Sequence, residues 1–428
     1  MTDTTLPSSI DWSNADARAR RRRRHAAEWR LRAYGLSAIL TAIGLLALLL
    51  ASLIYNGHQA FVQTMVTLNV TISENYVSRD NPREGNYRLI VRDALRAVFP
   101  DVTTPPDERA LAQILSSNAP YIVQGRVLND PTLIGRTVPI TIPASDPFDQ
   151  FNKGQVSRTV PESERRVTDK QIGWFDRLNA EGRVTKPFNW ALFFNADSRL
   201  PEMAGLAGAI TGSFYALLVC FLISFPVGVA AAVYLEEFAP KNRWTDIIEV
   251  NINNLAAVPS VVFGLLGLAV FLQFFGLPRS APLVGGMVLS LVTLPTIIIT
   301  TRAALKAVPP SIREAALGIG ASRHEMITHH VLPLALPGIL TGTIIGLAHA
   351  LGETAPLLLI GMNAFITQPA GGIFEASTAL PTQVYIWADS PERGFLSRTS
   401  AAILVLLMFL ITMNAIAIYL RQRLERTW

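Results

Sequence analysis

Two ionisable side chains, His349 and Glu353, lie within an otherwise apolar run that reads AHALGETAPLLLI. Ionisable groups are costly in a hydrocarbon environment and usually serve a function there. Gly352 and Pro356 should loosen a helix and expose backbone groups, which is tolerated only inside protein or along a water path. His349, Gly352, Glu353 and Thr354 are therefore candidate residues of a transport pathway. Glu353 could pair with an arginine or carry a proton; the plainer alternative is a structural partner for another helix.

A second stretch, VPPSIREAALGIGASRHEMITHHVLPLALPG, covers residues 308–338 and combines helix-start and helix-stop signals. Two pairs have the spacing of a helix capping box, namely Ser311 with Glu314 and Ser322 with Glu325. Glycines at 318 and 320 separate the pairs and should end the first helix. The pattern predicts two short capped helices joined at a glycine bend. Ala315 and Ala316 give the first helix a small-residue face, which allows a partner to approach closely.

The histidines of HEMITHH raise the alternative of a zinc site. A zinc-protease helix needs two histidines four residues apart, on one face. His324 and His329 are five apart, so on a helix of 3.6 residues per turn they point in different directions. The spacing therefore argues against a metal site here, and the single cysteine, Cys220, offers no cysteine ligand set or disulfide.

Six stretches are long and apolar enough to cross a bilayer, which takes roughly 20 mostly apolar residues. They cover residues 34–55, 206–235, 255–275, 282–301, 334–362 and 400–420. Buried helices of a soluble protein are the alternative, but their apolar runs are usually only about 10–14 residues long. The first stretch is also too long for the apolar core of a cleaved signal peptide. The sequence thus predicts an all-α transmembrane bundle of six helices.

The arginines set the expected orientation. Eight of them precede the first span, at positions 18, 20–24, 30 and 32. Positive loops stay in the cytoplasm, so residues 1–33 should form a cytoplasmic tail. Six spans then return the C-terminus to the same side, where Arg421, Arg423 and Arg426 agree. The loop at 303–332 also falls inside. The basic cluster and the net charge of +5 could instead suggest nucleic acid, but an adjoining membrane span favours a topology signal.

Residues 56–205 are more polar and long enough for a small domain, which the topology places in the periplasm. Alternation in YIVQGRV and TVPITIP predicts strands, and RLIVRDALRAVF has helical spacing. We expect a small mixed α/β domain. It shows no catalytic cluster and no metal-ligand cluster, and its sequence does not indicate its role.

The 308–338 stretch resembles the signature loop of ABC importer permeases, in which Glu-Ala-Ala is followed at fixed spacing by Gly and Leu-Pro. This chain matches at Glu314, Ala315, Ala316, Gly320, Leu332 and Pro333, and departs at His330, where the family has Ile. The resemblance implies a six-helix type I importer fold, made of the first span and the transmembrane domain at residues 206–428. It also implies that the loop docks into a cytoplasmic ATPase, with Ser311, Ser322 and Glu325 shaping it.

Three further motifs, GETAP, YLEEFAP and VPSVVFGLLG, resemble phosphate permeases of the PstA type. That family implies import of phosphate across the bacterial inner membrane, with a PstC-type second permease, a PstB-type ATPase dimer and a PstS-type binding protein. ATP and Mg would bind the ATPase, and this chain would bind no cofactor. Many relatives have arginine at the positions of His349 and Ile299; here Arg302 lies one turn after Ile299 and joins the candidate pathway.

Three rivals remain at this stage. The first is an ABC permease for another oxyanion or solute. The second is a secondary transporter or channel that works without an ATPase, against which the paired capped helices argue. The third is a membrane enzyme, against which the lack of a catalytic cluster argues. No GxxxxGK[ST] loop is present, so the chain is not expected to be the ATPase. It also has no GxSxG or other nucleophile arrangement, so it is not expected to be an enzyme.

Overall fold

The computed structural model describes residues 15–424, except for the side chains of residues 15–17, 20 and 424. The first fourteen residues of the predicted basic tail, and Arg426 of the C-terminal basic group, lie outside the described residues. The chain divides into two units between Tyr55 and Asn56. The first is essentially one helix, Ala15–Gly57, whose apolar side chains are exposed nearly all round, as expected of a helix surrounded by lipid.

The extension, residues 56–205, is built on a three-stranded antiparallel sheet. Its strands are Met65–Thr71 in the centre, Thr137–Pro143 on one side and the short Val184–Thr185 on the other. Val66, Leu68 and Val70 of the central strand are fully buried. The alternate threonines face outward, and Thr71 shares a 2.8 Å hydrogen bond with Thr137 across the strands. The period-two pattern thus fixes which face of the sheet carries the core.

Five short helices share the core with that face of the sheet, namely Tyr87–Val98, Pro105–Ala112, Ala119–Asn129, Asp146–Asn152 and Asp169–Ala180. A sixth, Ala191–Phe194, packs instead against the membrane spans. Single 3₁₀ turns lie at His58–Phe61, Pro82–Glu84, Pro131–Leu133 and Glu162–Glu164. The mixed α/β character holds, and the strand predicted at TVPITIP and the helix predicted at RLIVRDALRAVF are present. The strand predicted at YIVQGRV is wrong. That segment is a helix that starts with Pro120 in its first turn and buries Ala119, Val123 and Val127 at four-residue spacing.

The remainder of the chain is mostly helical, and its long helices lie where most of the predicted spans lie. By length and composition, five helices in the described part of the chain could cross a membrane, or six if a bent pair forms one span. They are Arg21–Phe61, Ala207–Phe238, Pro282–Ala307, Arg323–Gly352 and Gly394–Arg423, which we call the first, second, fourth, fifth and sixth spans. The described part of the chain therefore contains five of the six predicted spans, or all six if the bent pair counts as one span.

The prediction of the third span as one helix over 255–275 is wrong. Two helices, Arg243–Ala256 and Ser260–Phe274, meet at an angle of 101°. Pro259 lies at the break, and proline steers the residue before it, Val258, away from helical geometry. Glycines in the second helix bring it close to its neighbours. A Cβ at Gly264 would lie 2.7 Å from the Cα of Pro356, and one at Gly267 2.4 Å from Val288.

The fifth span also differs from the prediction of 334–362. Its helix starts at Arg323, passes through a π-helical stretch at Met326–Val331, continues as Leu332–Gly352 and stops. A separate short helix, Ala355–Leu359, follows. Pro333 therefore does not mark the start of the span. The stop at Gly352 agrees with the loosening expected there.

Small residues bring the fourth and fifth spans together. Gly338, Gly342 and Gly346 lie four residues apart, on one face of the fifth span, opposite Ala304, Thr300 and Ile297. A Cβ at Gly342 would lie 2.0 Å from the hydroxyl oxygen of Thr300. Close approach through small side chains is the usual packing of helices in lipid, where apolar side chains alone give little drive to associate. The remaining helices are Pro310–Gly318 and Leu380–Ala388.

Candidate functional site

The loop between the fourth and fifth spans carries a single exposed helix, Pro310–Gly318. Its capping differs from the prediction. Pro309 is the N-cap residue and has no capping side chain, so the Ser311–Glu314 capping box is wrong. Pro310 at the first helical position places the start two residues upstream of the predicted one and makes Ser311 a helical residue. Ser311 and Glu314 are both largely exposed.

The second capping box is present. The hydroxyl of Ser322 accepts a hydrogen bond from the Glu325 backbone N–H at 3.2 Å, and the Glu325 carboxylate accepts one from the Ser322 N–H at 2.8 Å. It caps the fifth span itself rather than a separate helix. Between the two helices, Gly320 has φ of +92°, a conformation that other residues adopt only with strain. The predicted glycine bend therefore exists, and Gly320 is the residue that makes it.

The loop helix has one packed face and one open face. Ala316 is buried against Leu305, Val308 and Met326, in a cluster that joins the ends of the fourth and fifth spans. Ala315 is exposed, so the two alanines do not share a face as predicted. The open crest consists of largely exposed residues, namely Glu314, Ala315, Leu317, Gly318, Ile319 and Gly320. Ile319 is 82% exposed, which is unusual for an isoleucine unless a partner covers it.

Ion pairs fasten this loop to the second span. The guanidinium of Arg313 lies 2.9 Å from the carboxylate of Glu237, and it also donates hydrogen bonds to the backbone oxygens of Leu305 and Val308. Glu237 is only 8% exposed and Arg313 21%. Glu237 belongs to the YLEEFAP motif, whose YLEEF part forms a π-helical turn at the end of the second span. The motif thus supplies the carboxylate that holds the loop helix.

Arg302 has carboxylate partners at the same end of the bundle. It lies 2.9 Å from Glu249 and 3.3 Å from Glu236, and Lys306 approaches Glu236 at 3.7 Å. These contacts join the fourth span to the second span and to the helix Arg243–Ala256. The predicted place of Arg302 in the pathway stays a prediction, and its observed contacts are those of a residue that ties helices together.

Glu353 lies where the fifth span breaks. Its carboxylate is 2.9 Å from Nε2 of His349, one helical turn earlier, and the two side chains are 16% and 62% exposed. The break separates Gly352 from the short helix Ala355–Leu359, with Thr354 as the N-cap residue of that helix. Glu353 and Thr354 are thus the two non-helical residues between these helices, directly after Gly352. Non-helical backbone at this depth needs a protein or water environment rather than lipid.

A buried charge cluster joins the extension to the sixth span, and sequence analysis did not predict it. Arg398, near the start of that span, is 4% exposed, donates to the backbone oxygen of Ala204 and lies close to Asp146, Asp149 and Glu202. Burial raises the pKa of both Asp146 and Glu202. The only sequence signal is an arginine at the edge of an apolar run.

Two ion pairs lie near this cluster. Lys153 pairs with Asp149 at 2.5 Å within the extension, and burial lowers the pKa of the lysine. Arg166 of the extension pairs with Glu392, just before the sixth span, at 2.7 Å, but both side chains are about half exposed. An exposed pair of this kind contributes little to stability, so the buried contact between the extension and the sixth span is the one made by Arg398.

Within residues 15–424, no group of three or more His, Cys, Asp or Glu side chains is placed to hold a metal ion. His324 and His329 both face outward. The ionisable residues so far described lie at helix ends, at one break and at one junction between elements. With five or six helices able to cross a membrane in the described part of the chain, the structure is that of a multi-pass membrane protein.

Comparison with known proteins places the chain more closely. Residues 224–427 match the family model of the binding-protein-dependent transport system inner membrane component, and residues 18–162 match a domain of unknown function, DUF3333. The chain is 33% identical, over 78% of that protein, to the phosphate transport system permease protein PstA of Xylella fastidiosa strain Temecula1. The chain belongs to this family of transport permeases, and so it is an inner-membrane component of an ABC importer and not itself an enzyme.

Two other likenesses complete the comparison. The chain is 31% identical to the probable ABC transporter permease protein YqgI of Bacillus subtilis, over 46% of this chain and 65% of that protein. A solved structure titled as inward-facing conformations of the MetNI methionine ABC transporter matches 51% of this chain and 97% of that one, with 17% identity and a TM-score of 0.40. Binding-protein-dependent transport implies two partners, an ATPase and a periplasmic binding protein.

Proposed function

We propose that this chain is a phosphate permease: it forms part of the path by which an ATP-driven importer moves inorganic phosphate from the periplasm into the cytoplasm. The observation that carries the proposal is its 33% identity to a phosphate transport permease over most of that protein's length. The GETAP segment supports it, because the motif lies at the break of the fifth span, where a path can have polar walls.

The loop helix Pro310–Gly318 is the docking point of the ATPase. Its exposed crest, with Glu314 and Ile319, presents an apolar tip beside a charge, and its packed face transmits force. Because the fifth span starts immediately after the Gly320 bend, a push on the crest reaches that span without a further joint. The ATP and Mg that drive the push bind the partner ATPase, a PstB-type dimer, and not this chain.

The pathway side of the fifth span is marked by His349 and Glu353. A histidine that is 62% exposed is costly against lipid, so this face turns toward a partner permease or a polar path. A PstC-type permease would provide the other wall, and a PstS-type protein would deliver phosphate from the extension side. Both termini then lie in the cytoplasm, and the extension lies in the periplasm.

The direct test is uptake of radiolabelled phosphate by phosphate-limited cells of a strain that lacks this chain, with and without the gene restored. We expect restoration to recover uptake that excess sulfate or molybdate does not inhibit. Inhibition by either competitor, with uptake of that anion, would assign the permease to another oxyanion. Uptake that persists after the partner ATPase is deleted would favour an ATP-independent carrier.

Glu353→Gln is predicted to lower phosphate uptake by at least about tenfold, or ~1.4 kcal/mol, while the protein still assembles. Glutamine keeps an oxygen that can accept from His349 but loses the negative charge, so the change isolates the charge from the contact. The measurement is initial uptake rate at equal membrane levels of protein. Glu164→Gln, the same change at an exposed site in the extension, is the matched control. An unaltered rate for Glu353→Gln would leave the residue a structural role only.

A further inference from the structure

Five aromatic rings form a continuous ridge on the extension: Phe61, Phe188, Trp190, Phe193 and Phe194. The ring of Phe61 contacts those of Phe188 and Phe193, and the ring of Trp190 contacts those of Phe188 and Phe194. The ring centres in these four pairs are 4.8–6.4 Å apart. The outer rings are open to the surroundings: Phe188 is 46% exposed, Trp190 64% and Phe194 72%. Contiguous exposed aromatic side chains mark a surface that another body covers.

The ridge is held rigidly. The buried side chain of Asn189 donates to the backbone oxygen of Ala60 at 2.9 Å, and its backbone N–H donates to the oxygen of Phe61 at 2.8 Å. Its side-chain oxygen accepts from the N–H of Leu192 at 3.3 Å. Because these bonds fix the backbone between the rings, the exposed side chains are presented in one arrangement.

The apolar cluster beneath the ridge belongs to the membrane spans. Leu192 and Ala60 pack with Leu206 and Ala209, at the start of the second span, and Phe61 and Phe193 pack against the same cluster. Residues 395–405 of the sixth span complete it through Phe395, Ala401, Ala402 and Val405. The ridge therefore sits at the ends of two spans, on the side of the extension.

The segment that carries the exposed rings, FNWALFF, contains no charged residue. Tryptophan and other aromatic side chains favour the region between lipid head groups and acyl chains, where an apolar ring with a polar edge finds both environments. Phe214 of the second span lies about 10 Å along that helix from its start, at 1.5 Å per residue, and its side chain is 53% exposed.

We infer that this aromatic ridge binds the phospholipid interface on the extension side of the membrane. The extension then has two attachments: the Arg398 charge cluster to the sixth span, and the ridge to the lipid beside it. Together they hold the extension at a set height and tilt above the membrane helices. This role is independent of which solute the permease carries.

Spin-label accessibility tests the inference in the full-length chain, assembled with its partner subunits in phospholipid vesicles. In a Cys220→Ala background, nitroxide labels are placed by Trp190→Cys and by Phe194→Cys. Two references share the background: Phe214→Cys in the second span, and Tyr121→Cys on an extension helix, where the native side chain is 62% exposed. Collision with oxygen, which concentrates in lipid, is compared with collision with a water-soluble nickel chelate.

We expect the oxygen-to-nickel ratio at 190 and 194 to exceed that at 121 several-fold and to lie below or near that at 214. A ratio equal to that at 121 would show that the ridge faces water and would overturn the inference. Low collision with both reagents would show that protein covers the ridge, and would overturn it equally. All four labels replace exposed side chains, and equal yields of assembled complex confirm that folding is unaffected.

Discussion

Gly320→Pro is expected to abolish phosphate uptake while the protein still inserts into the membrane. The native φ at this residue is +92°, and proline is locked near −65°. Proline would also remove the N–H that donates to the oxygen of Leu317 at 3.0 Å. With proline at 320, the bend between the loop helix and the fifth span cannot form. The crest would then point in a different direction and no longer fit the ATPase that we propose binds there, although the spans themselves are unchanged.

The measurements are initial uptake rate, membrane level by immunoblot and co-purification of the ATPase. Gly318→Ala is the matched control: a Cβ there meets no atom within 4 Å, and φ is not in the left-handed region. The uptake rate of Gly320→Ala should lie between the rates of Gly320→Pro and Gly318→Ala, because strain in the left-handed region costs on the order of 1 kcal/mol for an ordinary residue. Full uptake in Gly320→Pro would show that the bend does not carry force.

How far the sequence predicts this loop depends on which signals are local. The Ser322–Glu325 box and the Gly320 bend involve only neighbouring residues, so their spacing sufficed. The prediction of the Ser311–Glu314 box was wrong because Pro309 and Pro310 determine where the helix starts. The proline pair and the capping box each indicate a helix start within the same three residues, and spacing alone does not show which of them decides it. That the second helix continues into the fifth span was also missed, because Pro333 resembles a boundary, whereas the helix runs on through it directly after the π-helical stretch Met326–Val331.

The same limit explains the third and fifth spans. Apolar length shows that a segment can cross lipid, but it does not show a bend of 101° at Pro259 or a stop at Gly352. In the extension, alternation over a few residues at YIVQGRV suggested a strand. The helix prevailed there because Ala119, Val123 and Val127 pack onto the core at helical spacing. Tertiary packing decided each case.

The candidate site residues also differ in whether a local pattern or a contact between distant segments reveals them. Glu353 stood out because a charge in an apolar run is costly wherever the chain folds. The partners of Arg302 and Arg313 lie 53 to 76 positions away in sequence, at Glu249, Glu236 and Glu237, so no local pattern could pair them. The Arg398 cluster collects residues from three separate segments. Such contacts exist only once the fold has formed.

These ion pairs show that contacts with the spans around it hold the loop helix in place. The loop helix is joined to the second span by Arg313 and Glu237, and to the fourth and fifth spans by the cluster around Ala316. If the ATPase docks on the crest as proposed, a push there would act on these three spans together, and the glycine contacts pack the fourth span closely against the fifth. The fifth span would then bend at the non-helical break at Glu353.

The Arg313–Glu237 pair leads to a second prediction. Arg313→Glu and Glu237→Arg, each alone, are expected to lower uptake by more than tenfold, because each leaves a like-charge pair in a site where Glu237 is only 8% exposed. Breaking one partner of a buried pair costs about 3–5 kcal/mol, and the 21% exposure of Arg313 places this pair at the lower end. The measurements are uptake and thermal stability of the purified complex.

The double exchange, Arg313→Glu with Glu237→Arg, should recover part of both quantities and give a coupling energy of about 1–3 kcal/mol. Recovery will be incomplete, because glutamate cannot donate to the backbone oxygens of Leu305 and Val308 as Arg313 does. Lys241→Glu reverses a charge at an exposed residue on the same side of the bundle that has no ion pair in the described part of the chain, and should be near neutral. If the double variant is no better than the worse single one, the two residues act independently, and the loop helix is held by its apolar face alone.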